Sequence, residues 1–256
     1  MDRAAVLPHG TAGPLRAGRL FAFTLIAVNG WNRTLENNRG KTFGIQPAFS
    51  SADGRFSLAL GYLTGPENDE TVTIACADDT AFSELDASCV DAPGTPGAEH
   101  ELDRPLANSI WRHFVDLVLT ARPGERWTIV LNADYTHDQL ILNPVTGALA
   151  PVQMYGIMAG AQLRVAPRWA VAARGEFVHD INNTWTAYLQ GPAQDFDEIM
   201  LGTGTITLRY EPFPSLILML DNRLDGANAP LFNHDLEVHV RNTQFTTTLG
   251  VIVKTP

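Results

Sequence analysis

Apolar side chains fall at every second position through most of this chain, and each alternating run stops at Gly, Pro or Asp before the next begins. Residues 154–180 show the pattern most cleanly. In the first arm Tyr155, Ile157, Ala159, Ala161 and Leu163 share one face, while Gly156, Met158, Gly160, Gln162 and Arg164 share the other. A turn at Val165-Ala166-Pro167-Arg168 follows. In the second arm Trp169, Val171, Ala173, Gly175 and Phe177 oppose Ala170, Ala172, Arg174 and Glu176. One face is apolar with aromatic ends; the other is small or charged.

The same reading predicts about ten strands, near residues 19–28, 42–49, 56–62, 110–120, 127–136, 154–164, 169–177, 199–210, 216–223 and 245–253. Tight turns at Asp53-Gly54, Pro123-Gly124, Pro167 and Pro212 alternate with longer connections, the largest being residues 65–108. Bacterial barrels have this asymmetry, with short periplasmic turns and long external loops, and both ends of the chain then fall on the short-turn side. The expected fold is an all-β, antiparallel up-and-down transmembrane barrel over residues 19–256. Residues 1–18 form a leading segment with no apolar stretch of the signal-peptide kind.

Alternation alone leaves open which face is outermost, because a soluble barrel turns its apolar face inward. Length and charge decide. Both arms of the 154–180 hairpin reach the roughly 9 to 11 residues that a tilted strand needs to cross a bilayer, and their aromatics sit where interfacial girdles lie. Gln162, Arg164, Arg174 and Glu176 would each require a partner inside a dry core, whereas a water-filled lumen accepts them. Slipping the strands that carry Arg174, Arg209 and Arg223 by one residue would move arginine into lipid, at roughly 2 to 4 kcal/mol each near the midplane.

Composition agrees with this reading. The 256-residue chain has a net charge of -10, 45% hydrophobic and 18% charged residues. Such acidity excludes a polyanionic nucleic acid as partner. The longest apolar run, residues 20–28, is far shorter than the roughly 20 residues a membrane helix requires.

Candidate chemistry is sparse. Cys76 and Cys89 lie in one loop, where a disulfide in an oxidising compartment competes with two free thiols. No Gly-x-Ser-x-Gly elbow occurs, the seven histidines stand mostly in loops or at strand ends, and Gly202-Thr203-Gly204 opens no helix. Asp69, Glu70, Asp78, Asp79, Glu84 and Asp86 lack a regular ligand spacing and read as a solvated loop rather than a cation site. No metal or cofactor is implied. The functional candidates are the lumen-facing charges Asp134, Arg164, Arg174, Glu176, Arg209, Asp221 and Arg223, as a pore lining or as paired charges bracing neighbouring strands.

At residues 28–50, Asn29-Gly30-Trp31, Asn37-Asn38 and Gly40-Lys41-Thr42-Phe43-Gly44 stand in order, and in this the chain resembles the OmpL-like family of outer-membrane β-barrel porins. Weaker echoes follow at Gly61-Tyr62, Gly65-Pro66-Glu67, Asp116-Leu117-Val118 and Leu131-Asn132-Ala133-Asp134-Tyr135. The resemblance implies a porin-like barrel in the bacterial outer membrane, open to small solutes. Members of that family are longer at the N-terminus and tend to end in an aromatic residue, so this chain, ending Val253-Lys254-Thr255-Pro256, is similar to the downstream part of such a barrel. The expected activity is passive diffusion of small hydrophilic solutes or ions, without catalysis. A barrel that binds a surface partner through the 65–108 loop is the alternative, and a membrane-embedded hydrolase a third. Expected partners are outer-membrane lipid, lipopolysaccharide and the solutes, with a homo-oligomer compatible with all three readings.

Overall fold

Extended backbone must find hydrogen-bond partners on both sides, and where the neighbour is hydrocarbon only another strand can supply them. The computed structural model describes residues 5–7, 10–17, 20–29, 39–67, 71–75, 80–83, 88–91, 99–103, 107–142, 149–183, 197–233 and 240–254. Twelve strands in it form one antiparallel sheet. In chain order they are β1 (Ala5–Leu7), β2 (Gly10–Ala17), β3 (Phe21–Val28), β4 (Thr42–Ser50), β5 (Phe56–Pro66) and β6 (Trp111–Ala121). The second half comprises β7 (Trp127–Leu142), β8 (Leu149–Ala166), β9 (Trp169–Asp180), β10 (Ile199–Phe213), β11 (Leu216–Ala227) and β12 (Thr243–Val253). Each pairs with the strand before and after it in sequence, an up-and-down meander. Among the described residues no pairing joins β1 to β12, so the sheet is open.

All ten strands expected from alternation are present as β3 to β12. Two more, β1 and β2, precede them within residues 1–18. Gly10, Gly13 and Pro14 break any alternation there, which is why the pattern does not announce them. Strands also extend where a loop was expected: β7 and β8 pair as far as Leu142 and Leu149, across an irregularity between Asp138 and Ile141. The 65–108 connection contains two nested hairpins apart from the main sheet, Thr71–Ala75 with Glu99–Asp103 and, inside it, Thr80–Ser83 with Ser88–Asp91. The Cys76–Cys89 pairing concerns side chains outside the described residues.

Register sorts the faces. Leu131 stands opposite Ala159, which continues through Gly175, Gly204 and Leu224 to Phe245, an uncharged row across six strands. Side chains of this face are open: Leu131 is 43% and Leu249 72% exposed. A monomeric soluble protein rarely leaves so much contiguous apolar surface bare, whereas a bilayer covers it. Aromatic residues bound the band at both ends. On the turn side Phe21 meets Phe49 at 5.3 Å, Phe49 meets Phe56 at 6.2 Å, and Trp169 stacks on Tyr210 at 4.3 Å. On the loop side Tyr62 packs parallel to His113 and Tyr155 packs edge-on to His179. Rings that are apolar in body and polar at the tip suit the water–lipid boundary at each end.

The turns follow local chemistry. Ser51 Oγ donates to Asp53 Oδ1 at 2.6 Å, the Arg55 amide donates to the same oxygen at 3.1 Å, and Gly54 takes a positive φ of 68°. The Ser51 hydroxyl and then the Arg55 amide hold the Asp53 carboxyl below the usual carboxylate range. That contribution to the turn is complete above the ordinary aspartate pKa and is lost as pH falls through the lowered value. Gly124, φ 78°, serves the β6–β7 turn in the same way.

Gly65 has a different role. A Cβ there would meet Thr42 Oγ1 and lie 2.6 Å from Thr42 Cα and 2.9 Å from Lys41 O, so β4 and β5 close on one another only because residue 65 has no side chain. Gly65→Ala is expected to destabilise the protein by about 1 to 3 kcal/mol, the usual range for overpacking. The urea midpoint for unfolding from lipid vesicles measures it, and an unchanged midpoint would refute the close approach.

Candidate functional site

The opposite face of the sheet carries the polar groups, and cross-strand register arranges them in rows. Nearest the short turns, Arg164, Ala170, Arg209, Met219 and Gly250 lie side by side. The next row is Thr128, Gln162, Ala172, Thr207, Asp221 and Thr248. Above it run Val130, Gly160, Arg174, Thr205, Arg223 and Thr246, and then Asn132, Met158, Glu176, Thr203, Asp225 and Gln244. Further toward the loops, Asp116 of β6 stands directly opposite Asp134 of β7, and Asp180 occupies the following row opposite Met154 and Ile199. All seven lumen candidates from the sequence, Asp134, Arg164, Arg174, Glu176, Arg209, Asp221 and Arg223, therefore share this one face.

Small residues make room for these charges. Gly156, Gly160, Ala170 and Ala172 interleave with the long side chains on β8 and β9, and a hollow of about 340 Å³ lies over Thr128, Met158, Gln162, Arg174, Thr207 and Asp221. On β3 to β5 the same face holds Ala22, Thr24, Gln46, Ala48, Ser57, Ala59 and Gly61, without a charge. The wall is thus charged on one sector and small and neutral on the other.

In these rows the ion pairs run along strands rather than between them, the cross-strand pairs Arg112–Asp138 and Lys254–Glu211 lying beyond them at the loop and turn ends. Arg174 lies 3.4 Å from Glu176, Arg209 2.7 Å from Glu211 and Arg223 2.7 Å from Asp225, each pair two residues apart on one strand. Alternation places residues i and i+2 on the same face, so each arginine reaches the carboxylate in the next row of its own strand. Cross-strand contacts are instead hydroxyl or amide bonds: Thr207 Oγ1 donates to Asp221 at 2.6 Å, Thr203 Oγ1 to Asp225 at 2.7 Å, and Asn132 Nδ2 to Asp116 at 2.8 Å. Arg164 is exposed and makes no ion pair among the described residues.

At the loop end the polar face closes. The Arg112 guanidinium, 13% exposed, grips Asp138, 2% exposed, through two bonds of 2.6 and 2.7 Å. The buried Thr42 hydroxyl donates to Glu67 in the same recess, and Thr136, Val152, Asp180 and Ile199 are buried close by. The arginine–aspartate fork is the polar feature that sequence reading missed. Asp138 fell in what was expected to be a loop, and only the continuation of β7 puts it opposite Arg112.

Comparisons with known proteins agree with this architecture. A search of curated protein sequences finds no match. Among solved structures the outer membrane channel DcaP of Acinetobacter baumannii is similar, with a TM-score of 0.57 and 9% identity over 95% of this chain and 61% of that one. So is OmpT, an outer membrane protein of Vibrio cholerae, with a TM-score of 0.57 and 10% identity over 95% of this chain and 63% of that one. At such identity the likeness concerns the fold, and the chain spans about three-fifths of the length of either structure. The family model described as "Putative beta-barrel porin-2, OmpL-like" matches residues 17–254, nearly the entire chain. The protein is therefore a β-barrel of the bacterial outer membrane and belongs to the OmpL-like beta-barrel porin family.

Proposed function

We propose that the protein forms a passive channel through which small hydrophilic solutes or ions cross the outer membrane, without catalytic chemistry. The observation that carries this reading is the division of one sheet into an apolar face ringed by aromatics and a reverse face lined with Arg164, Arg174, Arg209 and Arg223 and the carboxylates between them. Charges facing a water-filled lumen keep their hydration, and rings of them set which solutes pass. Asp134, Glu176 and Asp221 complete the proposed lining. Lipid surrounds the apolar band, and lipopolysaccharide meets the loop-side aromatics.

Refolded protein added to a planar bilayer is expected to produce stepwise conductance. Protein that inserts and never conducts would refute the channel and leave the fold standing.

The nested hairpins within the 65–108 connection favour a second reading, in which that connection binds a surface partner. Deleting residues 68–106 separates the two. A channel keeps conducting with altered conductance, whereas a binding protein loses its partner.

A further inference from the structure

Read from turns to loops, the charged rows of the inner wall are ordered by sign. The three rows nearest the turns, with the strand ends just beyond them, hold four arginines, Arg164, Arg209, Arg174 and Arg223, against two carboxylates, Asp221 and Glu211. The next three hold five carboxylates, Glu176, Asp225, Asp116, Asp134 and Asp180, and no base. Lys254, past the end of β12, sits 3.4 Å from Glu211 and offsets it, while Arg112 at the loop end is taken up by Asp138. The exposed turns continue the trend, with Arg55, Arg122, Arg126 and Arg168 against Asp53 and Glu125.

We propose that the pore is an axial rectifier: a belt of arginines on the turn side and a belt of carboxylates on the loop side make it pass current more readily in one direction than the other. This rests on the channel reading and adds a direction to it. Mobile anions gather in the arginine belt and mobile cations in the carboxylate belt, because each belt focuses its counter-ions within the low-dielectric wall. When the loop side is positive, cations enter through the carboxylates and anions through the arginines, and both accumulate where the belts meet. The opposite polarity drives both away from that junction, which empties of carriers, and the current falls. Along-strand pairing does not cancel the effect: Arg174–Glu176 and Arg223–Asp225 each set the arginine on the turn side, and although Arg209–Glu211 runs the other way, bases still outnumber carboxylates at the turn end.

The test is the current–voltage curve of single channels of the full 256-residue chain in symmetric KCl at neutral pH. At about 0.1 M, where the screening length is about 10 Å, currents at opposite polarities are expected to differ by roughly twofold or more; at about 1 M, with screening near 3 Å, the ratio falls toward one. Random insertion reverses the sign of the asymmetry from channel to channel without changing its size. The double variant Asp116→Asn/Asp134→Asn, which thins the carboxylate belt, is expected to lower the low-salt ratio, and Arg174→Gln/Arg223→Gln to do so from the other side. A linear curve at low salt in a channel that conducts would overturn the rectifier and spare the channel. Asymmetry unchanged in both variants would overturn the assignment to these belts. Absence of any conductance would remove the channel reading and this inference with it.

Discussion

Arg112→Ala is expected to cost about 3 to 5 kcal/mol, the range for breaking a buried, doubly hydrogen-bonded ion pair by removing one partner. The loss comes chiefly from what is left behind. Asp138 is almost fully buried, and without the guanidinium its charge loses both bonds with no water to replace them. Glu67 lines the same recess as Arg112, so the variant leaves two carboxylates in a recess that has lost its guanidinium. Asp138→Ala should therefore cost less, since Arg112 retains Glu67 nearby. Replacing both partners with apolar side chains, Arg112→Met with Asp138→Leu, should recover most of the loss, because a buried pair roughly breaks even against a hydrophobic isostere. Urea midpoints of the four proteins in vesicles give the order; a single-variant loss below about 1 kcal/mol would mean that the fork is solvated.

Leu131→Arg and Val130→Arg, adjacent in sequence, are expected to behave oppositely. Leu131 lies on the apolar face near the middle of the membrane-crossing part of β7, where an arginine costs roughly 2 to 4 kcal/mol against lipid. Val130 lies in the row of Gly160 and Arg174, facing the hollow, where an arginine stays hydrated. Stability measured in vesicles should fall sharply for the first and change little for the second. The reverse order would place Leu131 in a protein interior and overturn the membrane assignment.

Most of the wall was legible because its period is two and its turns are punctuated by Gly and Pro, so a row such as Ile206, Leu208 and Tyr210 could be set against Thr205, Thr207 and Arg209 without any coordinates. Legibility failed where alternation carries no signal. Gly10–Ala17 is a strand by pairing with β3, and its Gly and Pro residues conceal this. Asp138 is polar on a face that is polar anyway, so a strand continuing past it looks the same as a loop beginning there. The hairpins of the 65–108 connection are four or five residues per strand, too short for a period to be counted. Which face each charge occupies was readable; which partner it takes was not. Periodicity puts Arg174 and Glu176 on one side and equally permits Arg174 to reach across to β8 or β10.

Placing counter-charges two residues apart on the same strand also bears on how such a wall is built. A hairpin that carries Arg209 with Glu211, or Arg223 with Asp225, arrives at the bilayer already neutralised and asks nothing of the strands still to come. Had each guanidinium depended on a carboxylate from the following strand, every half-assembled intermediate would have exposed a bare cation to hydrocarbon. For these strands charge leaves the order of insertion unconstrained, whereas Arg112 of β6 is neutralised only when Asp138 of β7 arrives.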